Sequence, residues 1–223
     1  MAKGVFVVGT GTDVGKTYVA ALLAKAVRKH GAAAYYKAAV SGNARDEHGA
    51  LLPADAIFVR QTAGLCQPLA TMCPYVYENA WSPHLAALHE GDPVDLGVVL
   101  AGLNALRQRY DYITMEGSGG IVCPLRYDGQ SVFLTDVVAA SRLPCVLVAD
   151  ARLGAINAVV LTAEYMRARG IRCNGLIFNR FEKGDPVCED NARVCEQLTG
   201  YPVVARLSAG VVEFPVDPLF LYE

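Results

Sequence analysis

The residues Val5-Phe6-Val7-Val8 run directly into Gly9-Thr10-Gly11-Thr12-Asp13-Val14-Gly15-Lys16-Thr17. A short apolar strand, a glycine-rich turn and a helix opening in Gly-Lys-Thr leave few possibilities for the surrounding fold. The glycines let successive backbone N–H groups converge on one anion, and the helix beginning near Gly15 adds the positive end of its dipole. Lys16 is then placed for the β- and γ-phosphates of a nucleoside triphosphate, and the Thr17 hydroxyl for Mg2+. Gly9 and Gly15 enclose five residues where the usual pattern has four, so the loop is a lengthened variant. An ordinary strand-to-helix turn also accommodates Gly-Lys-Thr. The context favours phosphate binding, because Ala20, Ala21, Leu23, Ala24 and Val27 follow at spacings suited to a helix packed on a sheet.

Apolar runs of strand length recur at 4–9, 33–37, 112–115, 145–149, 175–178 and 203–205. Helical patterns lie between them at 15–30, 53–62, 82–89, 95–109, 131–141, 156–169 and 190–199. This alternation predicts an α/β fold of phosphate-loop NTPase type, a doubly wound, mainly parallel sheet flanked by helices. Gly31, Gly91, Gly170 and Gly200 stand where helix ends call for a left-handed residue. The polar stretch 42–53 lacks a periodic apolar face and reads as a loop. With 223 residues, 53% of them hydrophobic, one α/β domain spanning 1–223 is the simplest reading.

The 22 acidic and 20 basic residues give a formal charge of −2, which offers no basic field for nucleic acid or an anionic membrane. Seven cysteines, at 66, 73, 123, 145, 173, 188 and 195, form no C-x-x-C pair and have no histidine at zinc-ligand spacing. Such a set suits reduced thiols and predicts a cytoplasmic protein. The apolar N-terminal run is too short for a signal-peptide core, and no apolar stretch approaches the roughly 18–20 residues that span a bilayer. The sequence predicts a soluble protein.

In an open parallel sheet, ligands gather beyond the carboxyl ends of the strands. Glu116 ends the run Tyr112-Ile113-Thr114-Met115 and enters a second glycine-rich turn, Gly117-Ser118-Gly119-Gly120, which places a carboxylate where Mg2+ beside Thr17 needs a hard oxygen donor. Asp55, at the start of a predicted helix, serves equally as a second metal-site carboxylate or as a partner of the helix dipole. Asp150 is its rival as a ligand, or a salt-bridge partner of Arg152. Lys37 closes the run Ala33-Ala34-Tyr35-Tyr36 and points its ammonium toward the same crevice as Lys16. Two lysines there suit concentrated negative charge, as phosphoryl transfer presents.

Taken together, these segments resemble the dethiobiotin synthetase family over most of the chain. The lengthened loop from Gly9 to Thr17 is similar to that family's. So are Tyr36-Lys37-Ala38-Ala39-Val40-Ser41-Gly42, Ala54-Asp55-Ala56, Ser82-Pro83-His84-Leu85-Ala86, Glu116-Gly117-Ser118-Gly119-Gly120 and Leu153-Gly154-Ala155-Ile156-Asn157. The resemblance implies an enzyme that carboxylates 7,8-diaminopelargonate with CO2, phosphorylates the carbamate with ATP or another nucleoside triphosphate, and closes the ring. It implies catalytic roles for Thr12, Lys16 and Lys37, and Mg2+ held by Thr17, Asp55 and Glu116. Nucleotide contacts would come from Asp13, Val14, Gly15, Lys16, Thr17, Tyr18, Asp55, Glu116, Gly117, Ser118, Gly119 and Asn179, the last reading the base. Substrate would meet Ser41 and, from the opposite subunit of a homodimer, Gly154, Ile156 and Asn157.

Two other classes compete. A partition-type ATPase switch shares the fold and a strand-terminal carboxylate, but characteristically has a signature lysine where this chain has Gly11, and leaves Lys37 and Ser41 unexplained. An amide-forming ligase of cobyrinate-synthase type normally carries a glutaminase domain, for which 223 residues leave no room.

Overall fold

The structure is a computed structural model that describes residues 2–222. In chain order the elements are β1 (Lys3–Gly9), α1 (Lys16–Val27), β2 (Ala33–Lys37), β3 (Ala39–Val40), α2 (Ala54–Ala63), β4 (Tyr75–Val76), α3 (Pro83–Glu90), α4 (Leu96–Arg107) and β5 (Tyr112–Glu116). They continue with β6 (Pro124–Tyr127), β7 (Ser131–Phe133), α5 (Leu134–Ser141), β8 (Cys145–Asp150), α6 (Ala155–Ala168), β9 (Cys173–Asn179), α7 (Pro186–Thr199) and β10 (Val203–Leu207).

Six strands form one sheet in the order β10-β9-β8-β1-β5-β2, and every pairing within it is parallel. The order explains the composition. β1 lies between β5 and β8 and is covered on both faces, so it reads as an unbroken apolar run rather than an alternating one. Alternate side chains still divide between two cores. Val5, Val7 and Tyr35 face α1, α2 and the C-terminal segment carrying Phe214, Leu221 and Tyr222. Phe6, Val8, Tyr36 and Met115 face the other side, where α4, α5, α6 and α7 contribute Leu103, Val137, Val159 and Ala192. The chain leaves β1 toward β2 on one side and later returns to β8 on the other. The strand order therefore reverses at β1, and the crevice at such a reversal is where an open sheet binds its ligand.

All six expected strands form, and the segment 42–53 is a loop closed by a bridge between Arg45 and Leu51. Three local expectations are corrected. Ser131–Phe133 is a strand, not the first turn of a helix: it pairs with β6 in a hairpin, and α5 starts only at Leu134, where the Asp136 carboxylate accepts the Phe133 N–H at 2.7 Å. α7 begins at Pro186, earlier than expected, because Asp185 caps it by accepting the Cys188 N–H at 2.8 Å. Gly91, Gly170 and Gly200 do take positive φ, but Gly31 does not. α1 stops at Val27, and Gly31 is small for another reason: a Cβ there would lie 2.7 Å from Asp111 Oδ2.

Candidate active site

β1 delivers the phosphate loop at its carboxyl end. Asp13 and Gly15 take positive φ, 59° and 95°, and Gly15 caps α1. Asn179, last in β9, lies against Gly15 and donates its side-chain amide to the Val14 carbonyl at 3.1 Å. The ammonium of buried Lys16 donates to the Gly11 carbonyl at 2.7 Å, folding the lysine back over its own loop. Burial lowers the pKa of Lys16, with the Lys37 charge acting in the same direction, while Glu116 opposes both. The second glycine-rich turn packs on the first: a Cβ on Gly120 would stand 3.5 Å from the Thr10 carbonyl, and one on Gly119 would stand 4.0 Å from exposed Thr12 Oγ1.

The parallel register of β2 on β5 puts Lys37 opposite Glu116, and that of β1 on β5 puts Glu116 opposite Val7. The Lys37 ammonium donates to Glu116 Oε1 at 2.7 Å and to Asp55 Oδ2 at 2.6 Å. The Thr17 hydroxyl donates to the same Glu116 Oε1 at 2.8 Å, and the Tyr35 phenol to Oε2 at 2.7 Å. Glu116 is 1% exposed, so this is a buried charge satisfied on both oxygens. Burial works against the charge on Lys37, but Glu116 and Asp55 outweigh it and hold its pKa above the ordinary lysine range.

Asp55 stands in the first turn of α2, where a carboxylate suits the helix dipole, and pairs with Lys37. Its helix is anchored by a residue the sequence did not single out. Asn43 accepts the Ala54 N–H at 3.0 Å and donates to the Val40 and Tyr77 carbonyls at 3.1 and 2.8 Å, tying α2 to the segment after Lys37. That segment is also held by Ser118, whose hydroxyl donates to the Ala39 carbonyl at 2.6 Å. Ser41 Oγ is buried without a partner, as is Nδ1 of His84.

The sequence-derived residues thus divide into groups. Lys16, Thr17, Lys37, Asp55 and Glu116 converge, with Thr12 and Gly117–Gly119 beside them. Tyr18 sits in the first turn of α1, but its phenol donates to the Val211 carbonyl, toward the C-terminal segment. Gly154, Ile156 and Asn157 line a separate cleft of about 490 Å3 with Leu153, Leu161 and Leu198. Asp150, the rival ligand, stands here as a salt-bridge partner: it pairs with Arg152 at 2.6 Å and Arg180 at 2.7 Å.

Among the described residues no group of three or more His, Cys, Asp or Glu side chains is arranged around a metal position. The crevice offers instead two carboxylates and one hydroxyl, a hard-oxygen set that fits Mg2+ completed by water and phosphate oxygens. The chemistry such a site can perform is the neutralisation and alignment of phosphate oxygens against a second anion.

A family model described as an AAA domain matches residues 3–209. The ATP-dependent dethiobiotin synthetase BioD of Brachyspira hyodysenteriae is 42% identical over 215 residues, covering 96% of this chain and 95% of that protein. Its namesake from Clostridium kluyveri is 44% identical over 209 residues, covering 93% and 86%. Among solved structures, the septum site-determining protein MinD from Pyrococcus horikoshii aligns with TM-score 0.54 at 14% identity, covering 93% of this chain and 82% of MinD. Cyanothece McdA in its ATP complex aligns with TM-score 0.58 at 14% identity, covering 93% and 83%. These structural likenesses establish the fold and do not separate a ligase from a partition-type switch; the sequence relatives do. With a lengthened phosphate loop, a lysine clasped by two carboxylates and relatives of this identity along nearly its whole length, the chain belongs to the ATP-dependent dethiobiotin synthetase family.

Proposed function

We propose that the crevice converts 7,8-diaminopelargonate, CO2 and ATP to dethiobiotin, ADP and phosphate, with the sequence-derived residues in the roles their positions suggest. The observation that carries the assignment is the convergence of Lys37, Asp55, Glu116 and Thr17 at the mouth of the phosphate loop. A partition-type switch carries its second lysine within the loop, where this chain has Gly11, and leaves a lysine at the end of β2, clasped by Asp55 and Glu116, unexplained.

One substrate amine adds to CO2 and loses a proton, giving a carbamate. Thr12 and the unpartnered Ser41 hydroxyl orient it, while Lys16 and Lys37 lie between carbamate and γ-phosphate and offset their repulsion. A carbamate oxygen then attacks the γ-phosphorus and ADP leaves. The second amine attacks the carbonyl carbon of the resulting carbamic-phosphoric anhydride, the C–O bond breaks, phosphate departs and the ring closes. Bound at Thr17, Asp55 and Glu116, Mg2+ would supply charge neutralisation at the phosphate oxygens. Alignment of this kind is worth roughly 7–11 kcal/mol in comparable reactions. Asn179, already held on the Val14 carbonyl, keeps its amide oxygen for the base of the nucleotide.

The separate cleft finds its use in a homodimer. Gly154 opens α6, where free N–H groups suit a carboxylate, and Leu153 beside it is 92% exposed. In this reading the helix start of the second subunit holds the substrate carboxylate. No described helix is long and apolar enough to cross a membrane, and the balanced charge does not suit nucleic acid. We place the enzyme in the cytoplasm.

Incubation with diaminopelargonate, bicarbonate, Mg2+ and separate nucleotides, with the organic product identified by mass, tests the assignment. Dethiobiotin is the expected product, and nucleotide hydrolysis without it contradicts the assignment. Mixing Lys37→Ala with Asn157→Ala tests the dimer. Exchanged heterodimers should regain one intact site, and confirmed exchange without recovered activity removes the shared site.

A further inference from the structure

Tyr35 is fully buried within the sheet, yet its phenol is committed to a charged residue of the crevice: it donates to Glu116 Oε2 at 2.7 Å. The opposite oxygen, Oε1, takes both remaining donors, Lys37 at 2.7 Å and Thr17 at 2.8 Å. The backbone that carries the ring is held in turn. The Tyr35 N–H donates at 2.8 Å to Oε1 of Gln67, a side chain with no exposure whose amide nitrogen reaches Thr71. An ionised carboxylate only accepts, so the phenol is the donor of this pair. Few geometries fix a carboxylate better than one oxygen pinned from behind by a rigid ring while the other faces the site.

We infer that Tyr35 is a positioning residue that reserves Glu116 Oε2 and presents Glu116 to the crevice through Oε1 alone, as a single-oxygen ligand. The inference rests on the assignment of Glu116 to the metal site. Without the phenol, a carboxylate with 1% exposure has one oxygen unpaired and available to join Oε1 in binding a cation through both oxygens. Mg2+ accepts near-octahedral geometry with little tolerance, whereas larger cations accept two-oxygen carboxylates. Tyr35 thus biases the site toward the small ion.

The matched control is in the same strand. Tyr36, also buried, points to the opposite sheet face and donates to the Val99 carbonyl at 2.9 Å, away from Glu116. Tyr35→Phe and Tyr36→Phe each remove one buried hydroxyl and one hydrogen bond. Cation binding is read without turnover, by competition of Mg2+ and Ca2+ against Mn2+ followed by electron paramagnetic resonance with nucleotide present. The expected result is that Tyr35→Phe weakens Mg2+ about tenfold relative to Ca2+, that Tyr36→Phe leaves the ratio unchanged, and that the Tyr35 effect vanishes in a Glu116→Gln background. An unchanged Mg2+/Ca2+ ratio in folded Tyr35→Phe overturns the inference. If Glu116→Gln binds cations as the unaltered protein does, the metal assignment itself is wrong. A second measurement needs no Tyr35 variant. The infrared carboxylate bands of Glu116, isolated by subtracting Glu116→Gln, should split on Mg2+ addition as a one-oxygen ligand does, and a two-oxygen pattern overturns the inference.

Discussion

At the scale of the residue, Lys37 bears more than the catalytic charge proposed for it. It is the counter-ion of Glu116, which is buried, and of Asp55, whose side chain is about one-third exposed. Lys37→Ala should therefore lose turnover by 100- to 1,000-fold, from the roughly 3–4 kcal/mol that one such electrostatic contact commonly supplies. It should also destabilise the protein by about 3–5 kcal/mol, the usual cost of leaving one partner of a buried pair. Lys16→Ala should lose turnover to a similar degree with little change in stability, since Lys16 donates only to a carbonyl. Steady-state rates and denaturant unfolding of both variants check this; equal stability losses would contradict the difference in partners. Asp150 shows the opposite use of a charge. Hydrogen bonds from Arg152 and then Arg180 hold its pKa below the usual carboxylate range, against burial. A depressed folded pKa contributes stability that is present above the unfolded value near about 3.9 and is lost as the pH falls below it. Asp150→Asn should thus cost about 1 kcal/mol or less at neutral pH, the arginines being exposed, and nothing at the acid end of an unfolding series. Lys37 was legible in the sequence because it ends an apolar run. Tyr35 was not, because inside that run a tyrosine serving Glu116 looks the same as one serving the core.

At the scale of the element, the parallel strands were legible because burial on both faces makes them continuous apolar runs. The β6–β7 hairpin was not: it has three- and four-residue strands, and its second strand runs straight into a helix whose pattern absorbs it. Contacts between elements were equally hidden. Nothing local marks Asn43 as the anchor of α2, since its partners lie at Val40, Ala54 and Tyr77. Asn43→Ala should lower stability by about 1–3 kcal/mol through buried groups left unpaired, and raise the Mg2+ requirement by loosening the turn that carries Asp55. A normal Mg2+ titration in a destabilised variant would separate the two effects and contradict the second. Gly15→Ala should fold poorly or lose nucleotide binding, because φ is 95° and the new methyl group would collide with the Asn179 amide. Calorimetric titration with nucleotide measures it, and unaltered affinity would contradict the loop geometry.

At the scale of the molecule, the strand order places β5 between β1 and β2, so two glycine turns and the strand-end residues Lys37 and Glu116, from separate parts of the chain, meet in one crevice. The alternation of elements foretold a parallel sheet; the order of its strands required the structure. The cysteines fit this economy. Burial pushes Cys73 up to about 12 and Cys173 and Cys195 up to about 11, whereas Cys66 is exposed in the turn after α2. Alkylation of the folded protein at neutral pH should label Cys66 first, as peptide mass mapping would show, and rapid labelling of Cys73 would contradict the packing. In the proposed reaction the crevice phosphorylates a carbamate rather than merely hydrolysing ATP. Freshly dissolved CO2 labelled with 13C and 18O, mixed with enzyme, diaminopelargonate and Mg-ATP and quenched before oxygen exchange, tests it most directly. Carbamate phosphorylation puts 13C in the ring carbonyl of dethiobiotin and one 18O in the released phosphate; phosphate free of label alongside labelled dethiobiotin would rule it out.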